Sequence, residues 1–187
     1  MIKPIVAGNW KMHKTPIEGK SFINRVVESL SDINNVNIVF CPPYTGLSNL
    51  NIKPPFYLGA QNCYYKDSGA FTGEISLEML LECDVKYIIV GHSERRHIFN
   101  ESNELISKKI EKVIATGIKP IFCIGETLED RNDGNAYEII KKQLELGLKG
   151  IKSLNNIVIA YEPVWAIGTG LTASVKNIND MHSYIRK

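Results

Sequence analysis

Ala160-Tyr161-Glu162-Pro163-Val164-Trp165-Ala166-Ile167-Gly168-Thr169-Gly170 decides how this chain is read, because a strand, a charge and a hinged loop meet there within eleven residues. The apolar, β-branched run Ile157-Val158-Ile159-Ala160 predicts a strand that delivers one carboxylate, Glu162, at its C-terminal end. A proline, a tryptophan and two glycines follow, and the glycines supply backbone freedom at the far end of the loop. The stretch therefore reads as a base at a strand end with Val164 to Gly170 as a lid. It also reads as a strand-ending Glu followed by an ordinary turn.

Working outward, the same strand-then-helix unit recurs. Pro4 to Asn9, Asn37 to Cys41, Phe56 to Ala60, Tyr87 to Val90, Lys119 to Cys123 and Ile157 to Tyr161 are short apolar runs. Helical patterns stand between them. Thr15-Pro16-Ile17-Glu18 is a helix start with Thr15 as N-cap, Pro16 at the first helical position and Glu18 closing a capping box. Phe22, Ile23, Val26, Val27 and Leu30 then recur at helical spacing and define one apolar face. A short helix is expected over Tyr44 to Leu50, and longer ones over Ser76 to Cys83 and from Ser102 to Gly117. Thr127 opens a charged helical region that continues from Asn135 to about Leu148, and Ile178, Met181, His182 and Ile185 mark a last helical face.

Six such repeats predict a parallel sheet covered by helices, in a single domain over residues 1–187. An open doubly wound sheet and a (β/α) barrel both satisfy that pattern. The first strand is followed by Asn9-Trp10-Lys11-Met12-His13, so the Gly-rich dinucleotide fingerprint is missing from the place an open sheet would put it. Polar residues gather instead at strand ends: Asn9 and Lys11, Gln61 and Asn62, Gly91 to Arg96, Gly125-Glu126, and Glu162. A barrel brings such ends to one face.

Composition sets the outer limits. With 187 residues, 44% hydrophobic and 22% charged, the chain reads as an ordinary globular protein. A net charge of +2 with dispersed Lys and Arg gives no nucleic-acid footprint. Cys41, Cys63, Cys83 and Cys123 are widely spaced without a Cys-x-x-Cys pair, which suggests neither a metal site nor a disulfide framework and reads as buried thiols in a reducing compartment. Met1-Ile2-Lys3-Pro4 leads into a strand without a secretory pattern, and no apolar run approaches a membrane span. A cytoplasmic location and no membrane partner are expected.

Five blocks carry a family resemblance: Ala7-Gly8-Asn9-Trp10-Lys11-Met12, Phe71-Thr72-Gly73-Glu74-Ile75-Ser76, Val90-Gly91-His92-Ser93-Glu94-Arg95-Arg96, Cys123-Ile124-Gly125-Glu126, and Ala160 to Gly170. In content and order they resemble triosephosphate isomerase over the whole chain. The resemblance implies a cofactor-independent, metal-free isomerase of glycolysis and gluconeogenesis that interconverts dihydroxyacetone phosphate and D-glyceraldehyde 3-phosphate through an enediolate. That family is itself a familiar case of a carboxylate base beside a neutral imidazole under a closing loop, so the roles come from it rather than from spacing. They make Glu162 the proton-transfer base, His92 the neutral group polarising the carbonyl, Lys11 the cation offsetting phosphate and enediolate charge, and Asn9 a further donor.

That set makes chemical sense. A proton beside a carbonyl is weakly acidic, so a carboxylate removes it only where positioned donors meet the developing oxyanion, each commonly contributing about 3 to 4 kcal/mol. A short helix after Ser93 would aim its N-terminus at His92 and favour the neutral imidazole. Outside their motifs, His92 would read as a core histidine and Lys11 as a surface lysine. The resemblance also makes Glu94, Ser93 and Cys123 supporting groups and Gly168 the lid glycine whose N–H meets the phosphate. His13, His97 and His182 have no motif and read as surface or packing residues.

The loop from Gln61 to Glu74, with Tyr64, Tyr65 and Phe71, resembles the family's interdigitating loop. Gln61, Thr72 and Met12 would then line a dimer interface, and the complete fold is expected to form a C2 homodimer. A full barrel has eight strands in about 250 residues, so six repeats imply a C-terminally truncated, incomplete barrel lacking the last two, with its phosphate-binding loops. Leu171 also departs from the basic residue many members carry there. Two functions are therefore carried forward: the isomerase, and an inactive partial barrel serving only as a self-association or chain-complementation module.

Overall fold

The computed structural model describes residues 3–48 and 50–187; Met1, Ile2 and Asn49 lie outside the described residues. Its strands are β1 (Ile5–Asn9), β2 (Asn37–Cys41), β3 (Phe56–Ala60), β4 (Val85–Val90), β5 (Lys119–Ile124) and β6 (Val158–Tyr161). Its helices are α1 (Pro16–Ser29), α2 (Leu77–Glu82), α3 (Ser93–His97), α4 (Asn103–Ala115), α5 (Leu128–Asn132), α6 (Ala136–Gly147) and α7 (Val175–Ile185). The strands form one sheet in the order β1-β2-β3-β4-β5-β6. The β1·β2, β2·β3, β3·β4 and β5·β6 ladders are parallel, with registers such as Val6 opposite Ile38 and Cys123 opposite Ala160.

That order settles the choice left open by the repeats. A doubly wound sheet reverses its strand order at a switch point, and this one runs on in a single direction. It is the singly wound β/α architecture. Chain contacts divide it into two compact units, residues up to Ile89 with Lys112–Pro120, and Val90–Glu111 with Ile121–Lys187.

In the first unit, Ile23 of α1, Ile38 and Phe40 of β2 and Phe56 of β3 make a core, joined by Trp10, Val26 and Val27. Trp10 meets Phe22 and Phe40 edge-on at 5.6 and 6.4 Å, and Phe40 stacks on Phe56 at 6.2 Å. Burying each such ring contributes about 1.5 to 3 kcal/mol. The Trp10 ring lies against Gly19, where a Cβ would come within 2.9 Å of it. α1 starts as its sequence requires, with Thr15 capping Glu18 N–H, Glu18 returning the bond and Pro16 in the first turn. Leu30 departs from the expected apolar face: it is the C-cap and is exposed. β1 is the least buried strand of this unit, with Val6 59% exposed, because it has a single neighbouring strand in the sheet order.

In the second unit, residues Ile121 to Ile124 of β5 are all buried, and α6 lays Ile140, Gln143 and Gly147 on the same side as the Phe122 ring. Gly147 fits there for want of a Cβ, which would collide with that ring. α5 and α7 begin with capping boxes of their own, Thr127 with Asp130 and Ser174 with Asn177. The charged helical region opened by Thr127 breaks at Asp133-Gly134, where Gly134 turns left-handed at φ 78°, and resumes as α6. The helix expected over Tyr44 to Leu50 is only a 3-10 turn, Tyr44–Gly46, because Pro42-Pro43 leaves it no preceding turn to extend, and Asn49 in that stretch lies outside the described residues. Among the described residues no helix is long and apolar enough to cross a membrane.

Candidate active site

The turn from β4 into α3 begins at Gly91, in the left-handed region at φ 73°. A Cβ there would also meet Arg96 Nη2 at 3.0 Å and Ile106 Cδ1 at 3.1 Å, so only glycine fits. His92 follows as the N-cap of α3, and its Nδ1 accepts the Glu94 N–H at 3.2 Å. With Nδ1 supplying a lone pair, the imidazole proton belongs on Nε2, which lies 3.1 Å from Glu162 Oε1. The short helix expected after Ser93 is therefore present and capped by the histidine. Glu94 places its own Oε2 3.5 Å from the same Nδ1.

Glu162 follows β6, and its backbone N–H donates to Ile124 O at 2.8 Å. Its carbonyl passes directly over Gly125, where a Cβ would collide with the carbonyl oxygen and lie 3.0 Å from the carbonyl carbon. Gly125 is held by the buried Gln143 side-chain amide, which accepts its N–H at 2.8 Å and donates to its O at 2.9 Å. The Glu162 carboxylate accepts the Ser93 N–H at 3.0 Å on Oε2, beside the His92 contact on Oε1. A carboxylate, a neutral imidazole and a backbone N–H thus converge, and such a set can take up a proton and donate to an oxygen.

Beyond Glu162 the loop is anchored at its root and open at its tip. Trp165 is buried in the 3-10 turn Val164–Ala166, and its Nε1 donates to Glu126 Oε1 at 2.9 Å. Tyr161 OH at 2.9 Å and Arg131 Nη1 at 3.0 Å donate to the same oxygen, and the Arg131 guanidinium lies over the Trp165 ring at 4.7 Å. Burial, with the Glu126 bond second, pushes the Tyr161 phenol up. Thr169 Oγ1 donates to Trp165 O at 2.7 Å, while Gly168 (φ 70°) and Gly170 (φ 79°) are exposed. Trp165→Phe removes one donor from a buried carboxylate and should lower stability by about 1.5 to 3 kcal/mol. Urea unfolding reads that loss, and faster amide exchange confined to residues 163–170 would place it in the loop.

The first unit holds the other strand-end residues. Asn9 Oδ1 accepts the Lys11 N–H at 3.0 Å, and Lys11 sits at φ 51°. A non-glycine residue held there stores about 1 to 3 kcal/mol of strain, the kind of outlier found at functional sites. Gln61 Nε2 donates to Lys11 O at 2.8 Å and to Cys41 O at 2.9 Å, which ties the loop after β1 to β2 and β3. Met12 is 94% exposed. Thr72 is exposed on the loop whose Tyr64 packs against Tyr65 and Phe71 at 4.7 and 4.8 Å.

The structure so brings His92, Ser93, Glu94 and Glu162 together in one unit and Asn9, Lys11 and Gln61 in the other. Cys123 is buried on β5 and offers its backbone carbonyl to Arg96. Cys41 and Cys63 are buried too, and burial pushes the Cys41 thiol up to about 12, but the expected burial does not extend to Cys83, which follows the last residue of α2 and is half-buried. His13 and His97 are exposed, and His182 packs edge-on to Tyr161 at 6.1 Å. Sequence reading overlooked Gln143 and the donors around Glu126; the only trace of them was a Glu placed directly after Gly125.

A singly wound parallel β/α chain with a carboxylate and an imidazole at the C-terminal ends of its strands belongs to the class of (β/α) barrel enzymes. The model of the family described as triosephosphate isomerase matches residues 4–187. The chain is 48% identical to the triosephosphate isomerase of Alkaliphilus metalliredigens, with 100% of this chain and 77% of that protein covered. It is 45% identical to that of Carboxydothermus hydrogenoformans (100% and 76% covered) and 45% identical to that of Aquifex aeolicus (99% and 76% covered). The chain belongs to the triosephosphate isomerase family and is an isomerase of that family.

Proposed function

We propose that this chain interconverts dihydroxyacetone phosphate and D-glyceraldehyde 3-phosphate in cytoplasmic glycolysis and gluconeogenesis, with Glu162 as the base. The observation that carries the reading is the Glu162 carboxylate held 3.1 Å from His92 Nε2, with His92 Nδ1 committed to the Glu94 N–H. Glu162 removes the proton from the carbon beside the carbonyl, the electron pair moves onto the carbonyl oxygen, and the proton returns to the neighbouring carbon. The His92 Nε2–H donates to the oxygen that gains charge. Before it can do so, Glu162 must give up its bonds to His92 and Ser93, so substrate replaces the carboxylate as the imidazole's partner.

Asn9 supplies a second donor to that oxygen and Lys11 offsets the charge of phosphate and enediolate. The Gly168 N–H, at the exposed loop tip, meets the phosphate. Ser93, Glu94 and Cys123 support these groups. We further propose a homodimer through Met12, Thr72 and the Gln61 loop, supported by the 94% exposure of Met12 and the aromatic cluster behind Thr72. Light scattering on the eluting protein should give twice the 21.0 kDa chain mass; a monomer at all concentrations would remove that proposal. A coupled assay with dihydroxyacetone phosphate tests the activity, and no turnover by the folded protein at any concentration would sink it.

A further inference from the structure

Arg96, on α3, directs all three of its side-chain hydrogen bonds to neutral oxygens. Nε donates to Gly91 O at 2.7 Å, Nη1 to Asn103 Oδ1 at 2.7 Å and Nη2 to Cys123 O at 3.0 Å. The guanidinium also lies 5.8 Å from the centre of the Phe122 ring. Burial lowers its pKa to about 10, which leaves it charged at neutral pH. A half-buried cation whose hydrogen bonds all go to neutral oxygens, with Glu162 and Glu101 acting on it only through space, is a costly way to brace a fold. A planar fork is nevertheless the one side chain that can hold two backbone carbonyls and an amide oxygen at fixed angles.

What those carbonyls support gives the arrangement its meaning. Gly91 O belongs to the residue immediately before His92, and a Cβ on Gly91 would lie 3.0 Å from Arg96 Nη2, so the guanidinium sits flush against that turn. Cys123 O lies two residues before Gly125, over which the Glu162 backbone passes. One rigid group thus ties the strand end that presents the imidazole to β5, the neighbour on which the backbone of Glu162 rests through its N–H bond to Ile124 O.

We infer that Arg96 is a positioning residue, whose guanidinium sets the separation of His92 Nε2 and the Glu162 carboxylate by fixing the Gly91 and Cys123 carbonyls. For its kinetic consequence this rests on the isomerase reading above; for the geometry it does not. Lysine keeps the charge but cannot bridge both carbonyls, so Arg96→Lys should loosen the pair while leaving the chain folded.

Arg96→Lys and Arg96→Met are compared with wild type and with Ile140→Val, a buried substitution on α6 that lowers stability without touching the turn. The expected result is a fall in kcat of about 10- to 100-fold, the scale of a small misplacement of reacting groups, with KM nearly unchanged. Ile140→Val keeps its kcat despite its lower Tm. The second readout needs no turnover: the His92 Nε2–H proton in a 15N-labelled sample should be a resolved signal in wild type and broaden through solvent exchange in Arg96→Lys. If neither Arg96 variant folds, Asn103→Ala, which removes the third acceptor, is read the same way. Wild-type kcat together with an unchanged Nε2–H signal in a folded variant overturns the inference. A wild-type protein without turnover would defeat the isomerase reading alone, and the proton signal would still decide the role of Arg96.

Discussion

Glu162→Gln should lower kcat by about 10²- to 10⁴-fold, the usual contribution of a positioned general base, with little change in KM. The side chain keeps its size and loses its charge and half of its acceptor capacity. In the native geometry both carboxylate oxygens accept, one from the Ser93 N–H and one from the His92 Nε2–H. An amide satisfies one and turns an N–H toward the other, so it also sets two donors against each other at 3.0 to 3.1 Å. The group is on the edge of solvent, with its side chain 18% exposed, so that mismatch is relieved by rotation rather than by unfolding. A coupled assay and a thermal melt on the same sample separate the effects: turnover should collapse while Tm moves little. Undiminished turnover would remove Glu162 from the mechanism.

Gly125→Ala should damage the fold and the activity together. The new methyl would occupy the space of the Glu162 carbonyl oxygen, and the obstacle is backbone rather than a side chain that could swing away. Relief requires the turn after β6 to lift off β5, breaking the Glu162 N–H bond to Ile124 O or the two-way clamp from Gln143. Overpacking of this kind costs about 3 kcal/mol or more at its severe end. Gly134→Ala is the useful contrast, since nothing lies within 4 Å of its Cβ and only its left-handed φ of 78° is strained, at about 1 to 2 kcal/mol. Urea unfolding of both proteins would show the order. Equal losses would mean that the Glu162 turn yields more easily than its packing suggests.

Local chemistry was the part most readily legible in the sequence. Thr15, Pro16 and Glu18 lie within four residues, and their box forms as written because a cap needs no distant partner. The six strands were likewise visible as apolar runs, and the residues at their ends as polar interruptions. What did not show were pairings across long stretches of chain. Gln143 and Gly125 are 18 positions apart, Trp165 and Glu126 39 apart, and Ser93 and Glu162 69 apart. Periodicity places Gln143 on α6 but cannot say that its amide faces a glycine backbone. Gly125 looked like a strand-end residue, while the reason for its missing side chain is the carbonyl of Glu162. Arg96 sat inside a quoted motif, yet nothing local distinguishes it from Arg95, which instead pairs with the buried Glu101.

The three donors gathered on Glu126 bear on how the protein responds to ionic strength. Glu126 is fully buried, so dissolved ions cannot come between it and Trp165, and the root of the loop should hold equally well in dilute buffer and in molar salt. The aromatic loop is tied differently: its Asp67 meets Lys112 of α4 through side chains 77% and 43% exposed. At 1 M salt the screening length shrinks to about 3 Å, and that tether weakens while the other does not. Added salt therefore becomes a selective probe, loosening the aromatic loop after β3 without disturbing the loop rooted at Trp165.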